Sequence, residues 1–392
     1  MTGRAAASAR RMTLDKVGIL IGVLTIVAVF GLPFAVLRPN RIAAGTGLSV
    51  FAALPAMQGA ALAALWIVGT LWAMTASRPA PALAAGCTWL ATLAYAVGAA
   101  AMHVVAPDDM LARISPDAGV WLLLFAWAVL IADALARLAF GPWRRLIALV
   151  AAIAAISVPL ASGWWDSLSV MREYAVRSDD FWREAIRHVS LAGGSVAAAL
   201  VAGVPLGIAC ARIAAVRTVA MPVLNIVQTI PSIAMYGLMM APLGLLAAHV
   251  PLAAALGIRG IGVAPAVLAL FLYSLLPIAS SVVVGLGQVP PHVTEAARAM
   301  GMTRAQRLLR VDLVLALPVI LSGVRIVLVQ NIGLTAVAAL IGGGGFGTFI
   351  FQGIGQSAAD LVLLGAIPTI ALALAAAVVF EAATSLAKGR AG

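Results

Sequence analysis

Ten long apolar runs constrain this 392-residue chain more than anything else in it; they lie near 17–37, 50–76, 82–104, 118–137, 145–163, 189–211, 219–245, 262–288, 313–338 and 360–386. Each is about 20 residues or longer, the length an α-helix needs to cross a hydrocarbon core of about 30 Å. The fold class that follows is all-α, a polytopic membrane helix bundle of about ten transmembrane helices. Composition agrees. With 63% apolar and 10% charged residues and a strongly positive mean hydropathy, an ordinary soluble domain is excluded.

The net charge of +11 does not point to nucleic acid, because the basic residues are dispersed at the ends of apolar runs, as the positive-inside rule describes. Arg4, Arg10, Arg11 and Lys16 precede the first run. No small-residue cleavage site follows, so that run reads as an uncleaved anchor. With the N-terminus inside, Arg144, Arg145, Arg212, Arg217, the segment near 289–312 and Lys388–Arg390 all fall in the cytoplasm. Asp108, Asp109 and Asp117, against one Arg113, fall outside. Arg38, Arg41 and Arg259 argue the other way. Both termini are expected in the cytoplasm. Cys87 and Cys210 fit no disulfide or metal pattern. His103, His188, His249 and His292 are too dispersed to indicate a metal cluster.

Residues 164–188 form the longest mixed-charge stretch, with Trp164, Trp165 and Trp182 suited to a membrane interface. They divide the chain into an N-terminal membrane extension (1–164, about five spans), an extramembrane connection (165–188) and a transport core (189–392). Within the core, Gly203 and Gly207 have G-x-x-x-G spacing, and with Gly285 and Gly323 they permit close helix approach.

Between two apolar runs lies the polar, basic segment VPPHVTEAARAMGMTRAQRLLRVDLVLALPVI (289–320). A short helix can start just after Pro290 and Pro291, with Glu295 favoured near its positive end. Ala296, Ala297 and Met300 then give a small apolar face. Gly301 suits a helix C-cap, where a left-handed backbone costs a residue without Cβ least. Thr303 and Gln306 have capping-box spacing, so a second short helix can follow at an angle. The product is a helix–Gly–helix elbow at the membrane surface, a shape suited to a groove on another protein.

Glu295, Ala296, Ala297, three residues and Gly301 resemble the EAA motif of permease subunits of ATP-binding-cassette importers. The usual pattern continues with nine residues, an aliphatic, any residue, Leu and Pro; here Val311, Asp312, Leu313 and Val314 follow, so Val314 stands in place of Pro. NIVQTIPSIAMYG (225–237), ALFLYSLLPIASSVVVG (269–285) and IGGGGFGTFIFQGI (341–354) resemble segments of glycine betaine, choline and related osmoprotectant permeases. Ser280, Ser281 and Val282 depart from a charged or amide-bearing triplet common there. The long N-terminal extension resembles the YehY type. The resemblance implies a five-helix permease core, a cytoplasmic loop near 289–312 docking on ATPase subunits, a second permease subunit and a periplasmic substrate-binding protein. Glu295, Ala296, Ala297, Gly301, Arg304 and Arg307 would form the coupling loop.

Gly342, Gly344 and Gly347 satisfy G-x-G-x-x-G, but the flanks are membrane runs, and the acidic candidate, Asp360, lies too close and in the wrong context. A compact turn at the outer face is the better reading, and no cofactor is expected. No G-x-x-x-x-G-K-[ST] occurs, so ATP hydrolysis would belong to a separate subunit. Of fourteen acidic residues, ten fall outside the runs, and Asp133, Asp312, Asp360 and Glu381 lie near run ends. That counts against an ion-coupled secondary transporter, the main alternative, since such proteins place ionisable groups deep in the bundle. An amino-acid importer permease is the alternative within the same superfamily. Arg325 lies about a dozen residues into its run, either packed against carbonyls or in the pathway. Asn225, Gln228, Thr229 and Ser232 occupy i, i+3, i+4 and i+7, a face for interhelical hydrogen bonds or for a pathway. Tyr236 and Tyr273 are core residues or aromatic faces for a quaternary amine.

Overall fold

A computed structural model describes residues 16–40, 43–75, 78–106, 109 and 111–391. Arg4, Arg10, Arg11, Asp15, Arg41, Asp108 and the side chain of Arg390 lie outside what is described. The chain forms two units. One holds residues up to Phe140 together with Ala152–Arg172; the other holds Gly141–Ala151 and Glu173 onward. Among the described residues, eight helices are long and apolar enough to cross a membrane, and shorter apolar helices at Lys16–Gly31 and Ala56–Trp72 fall within the first and second expected runs.

The first unit begins with α1 (Lys16–Ile26), which passes through a π-turn at Val27–Gly31. Leu32 is extended (φ −123°, ψ 149°), as a residue preceding a proline is driven to be. The first helix therefore stops short of residue 37. Strands β1 (Ala35–Arg38) and β2 (Thr46–Leu48) follow, then α2 (Val50–Ala53), α3 (Ala56–Thr75), α4 (Pro79–Val104), β3 (Arg113–Pro116), α5 (Ala118–Leu138) and α6 (Pro142–Ala161). The division between units falls within α6. The strands form an antiparallel sheet in the order β2-β1-β3, with Ala35 opposite Leu48 on one side and Pro116 on the other. Ile114 also bridges Leu168. Sequence periodicity does not reveal strands of three and four residues set inside connections. Beside the sheet, amide hydrogen bonds from Ala112 and Leu111 hold the Asp109 carboxyl below its usual value.

The unit's core is aromatic. Trp66 lies 5.4 Å from Trp127, which lies 5.8 Å from Trp89, and Phe34 stacks on Trp66. A Cβ at Gly69 would come within 2.6 Å of the Trp89 ring, so glycine allows α3 to lie against that indole.

The second unit contains the end of α7 (Ser169–Val176), then α8 (Ser178–Arg212), α9 (Ala214–Thr229), α10 (Ser232–His249), α11 (Pro251–Ala255), α12 (Val263–Gly287), α13 (Pro291–Ala299), α14 (Arg304–Arg307), α15 (Leu313–Ala338), α16 (Gly347–Gly355) and α17 (Ala359–Ala391). The stretch 165–188 is mostly helical, comprising α7 and the first turns of α8. Helices α8, α12 and α15 pack closely because small residues meet at their crossings. A Cβ on Gly203 would sit 2.9 Å from Ile278, on Gly207 2.6 Å from Val282, and on Gly285 3.0 Å from Ala316. Between these helices Asn331, fully buried, donates to Ser195 Oγ (3.0 Å) and Ser274 Oγ (2.9 Å). Both serines donate in turn to backbone carbonyls of their own helices.

Candidate functional site

The elbow is closed by two local motifs. Helix α13 takes Pro291 as its first residue, with Pro290 before it, the position where a missing N–H costs nothing. Glu295 consequently falls in the second turn rather than at the positive end. At the other end Gly301 N–H donates to Arg298 O (2.9 Å) and Met302 N–H to Ala297 O (3.2 Å), with Gly301 at φ +77°. This is a Schellman cap. Thr303 and Gln306 then form a capping box: the Thr303 amide donates to Gln306 Oε1 (2.9 Å), and the Gln306 amide to Thr303 Oγ1 (3.3 Å). The expected second short helix is a single turn, α14, that runs through a π-turn at Leu308–Asp312 into α15. No glycine or proline lies between Arg304 and Val314 to separate them.

The exposed surface of the elbow carries Glu295, Ala296, Arg298, Ala299, Met300 and Arg304. Ala297 is 2% exposed, so the expected Ala296–Ala297–Met300 face is split, with Ala297 packed inward. Arg307 also points inward: its Nε lies 3.4 Å from Asp312 Oδ2. Arg212, at the C-terminus of α8, reaches the same oxygen at 2.8 Å.

The run 219–245 is two helices, parted at Ile230–Pro231. Proline removes a donor and forces the break. Ser232 therefore belongs to α10 while Asn225, Gln228 and Thr229 belong to α9, and the four do not share one continuous helical face. Asn225 and Thr229 are exposed; Gln228 and Ser232 are half-buried. The break is satisfied from α12, where the Tyr273 hydroxyl donates to Ile230 O. The Gln228 amide donates to Tyr273 O (2.7 Å), a carbonyl left without its helical donor because Pro277 stands four residues on. Tyr236 donates to Leu334 O (2.9 Å). Both tyrosines are buried in the bundle.

The glycine-rich turn is compact, with Gly342, Gly344 and Gly345 at φ +76°, +81° and +85°. It is held by two residues of α8 that the sequence did not single out. Glu184 accepts from the Gly345 amide. His188 Nδ1 accepts from Phe346 N–H (3.2 Å) while its Nε2 faces Ile332 O (3.0 Å), so the proton resides on Nε2. Their i, i+4 spacing opposite a run rich in unpaired amides was the available signal. Arg325 is matched by a carboxylate rather than by carbonyls: Glu381 accepts from it and from Arg145 (2.9 Å).

Helices of membrane-crossing length joined by an exposed polar elbow, its turn closed by one cap on each side, make this an integral membrane protein of many spans. The chain belongs to the family described as binding-protein-dependent transport system inner membrane component, which residues 203–388 match. It is a multi-pass inner membrane protein. Residues 15–171 match the ABC transporter permease YehY N-terminal domain. The osmoprotectant import permease protein OsmW of Salmonella typhimurium is 42% identical over 188 residues, 48% of this chain and 82% of that protein. The choline transport system permease protein OpuBD of Bacillus subtilis is 36% identical over 208 residues, 53% of this chain and 85% of that one. The chain is also similar to a solved structure of the inward facing MetNI methionine ABC transporter (23% identity, TM-score 0.46, 53% of this chain and 95% of that chain).

Proposed function

We propose that this chain is the permease subunit of an ATP-driven importer for osmoprotectants, namely glycine betaine, choline or related quaternary amines. The elbow carries the reading. Its cap geometry fixes a rigid, outward surface bearing Glu295, Ala296 and Arg304, while Ala297 and Gly301 set its packing and its turn. ATPase subunits would dock there and hydrolyse ATP, so the chain makes and breaks no bonds itself. A second permease subunit would complete the pathway, and a periplasmic binding protein would select the solute. Similarity to OsmW and OpuBD supports the substrate class.

Both termini and the elbow are assigned to the cytoplasm, with residues 1–164 as a membrane extension and 189–392 as the permease core. Within the core, the polar contacts tie together segments that this topology puts on the same side: Arg212 with Asp312, and Glu184 and His188 with the glycine turn. Asn225 and Thr229, exposed on α9, are assigned to the pathway. Gln228, Tyr236 and Tyr273 shape it by holding the broken span, and Ser232 is assigned to the pathway just past the break.

The test is affinity purification of the tagged chain from its native membrane in mild detergent. A co-purifying ATPase, lost on Gly301→Pro, is the expected result, since proline removes the Gly301 donor and cannot adopt positive φ. A chain that purifies alone and concentrates solute under a proton gradient without ATP would instead be a secondary transporter. The Arg325–Glu381 pair is the observation that favours this second reading.

A further inference from the structure

The carboxylate of Asp312 joins two parts of the permease core that are 100 residues apart in sequence. It sits at the π-turn between α14 and α15, is 5% exposed, and takes Arg307 of the elbow and Arg212 of α8 on the same oxygen. Its other oxygen, Oδ1, has no hydrogen-bond partner among the described residues. The two guanidiniums alone therefore set the orientation of this buried anion. Arg212 is the last residue of α8, and α9 starts two residues later, at Ala214. Helix α9 carries Asn225 and Thr229 and ends at the break held by Tyr273.

We propose that Asp312 is a positioning residue that locks the elbow to the α8–α9 corner, so that displacement of the elbow turns α9 directly rather than through α15 alone. This rests on the elbow being the ATPase contact. The chain of parts is short. Arg307 belongs to the turn that the capping box starts, Asp312 holds Arg307, and Arg212 pulls on the residue before α9. A buried ion pair transmits force in either direction only while both partners are present, and removing one leaves an uncompensated charge.

The experiment uses the full importer with its ATPase, in a Cys87→Ser, Cys210→Ala background carrying Asn225→Cys on the exposed face of α9. The reaction rate of that thiol with a small water-soluble maleimide is measured with and without ATP and vanadate. With Asp312 intact, trapping changes the rate by about fivefold or more. In Asp312→Asn the change disappears while the ATPase still co-purifies and still traps nucleotide; in Asp312→Glu it persists. Arg212→Gln, a milder change at a half-exposed residue, gives the same loss. A rate change that survives in both Asp312→Asn and Arg212→Gln overturns the proposal. So does loss of the bound ATPase in both, which would make the residues merely structural. A parent chain that retains no ATPase at all would instead count against the function proposed above, and is seen before any variant is made.

Discussion

Single glycines separate what is local in this chain from what is not. Gly301 has positive φ and open space where a Cβ would point. Gly301→Ala therefore meets only backbone strain, about 1–2 kcal/mol for an L-residue in the left-handed region. Opening of the elbow should rise by about tenfold, with Gly301→Asn affected less, read as the rate of tryptic cleavage at Arg298 and Arg304 in detergent. An unchanged rate for Gly301→Ala would mean that the Schellman cap does not hold the elbow. Gly347 is the opposite case. A Cβ there would lie 1.8 Å from Ala336 O, so Gly347→Ala must push α15 from the glycine turn and should lower the melting temperature of the whole core. Gly301 was legible because caps are written within five residues. Asp312 was visible only as an acid near a run's end, since its partner Arg212 is brought to it by the packing of α8.

At the scale of elements, prolines set the breaks, and distant side chains make the breaks tolerable. Pro231 parts α9 from α10, and Tyr273 covers the carbonyl left at Ile230. Pro277 frees the carbonyl of Tyr273, and Gln228 covers that one. Gln228→Leu should therefore cost about 1–3 kcal/mol by leaving a buried acceptor unmet. In a Pro277→Ala background the helical amide of residue 277 can supply the missing donor, so the same substitution should cost less than half as much. Thermal unfolding of the four variants in one detergent measures this cycle, and equal costs in both backgrounds would show that Gln228 acts elsewhere. The prolines were readable in the sequence, but the pairing of each break with its partner was not, because it joins residues 43 and 45 positions apart. The sheet escaped notice for a related reason. Ala35–Arg38 reads as the tail of an apolar run, and it becomes a strand only when Arg113–Pro116 lies beside it.

The arrangement of the whole molecule in the membrane follows from counting crossings, and the structure constrains the count within each unit. In the first unit the sheet and its bridge draw together residues 35–38, 46–48, 113–116 and 168. Their connections must then share one side of the bilayer, which requires an even number of crossings between residues 48 and 113. Helices α3 and α4 supply two. In the second unit α12 lies between the connection at Leu256 and the elbow at Met300, so these two must face opposite sides. Leu111, Leu256 and Met300 are each about 70% exposed, and Thr46 is exposed as well. Single cysteines at these four positions, in a background without Cys87 and Cys210, report sidedness by reaction with a membrane-impermeant maleimide in intact cells. Thr46→Cys and Leu111→Cys should label together from outside. If the elbow is cytoplasmic, as proposed above from the charge asymmetry, Leu256→Cys should label from outside and Met300→Cys only after permeabilisation. Opposite behaviour of Thr46→Cys and Leu111→Cys would contradict the sheet. Labelling of Met300→Cys from outside would remove the elbow from any cytoplasmic ATPase, whatever its caps.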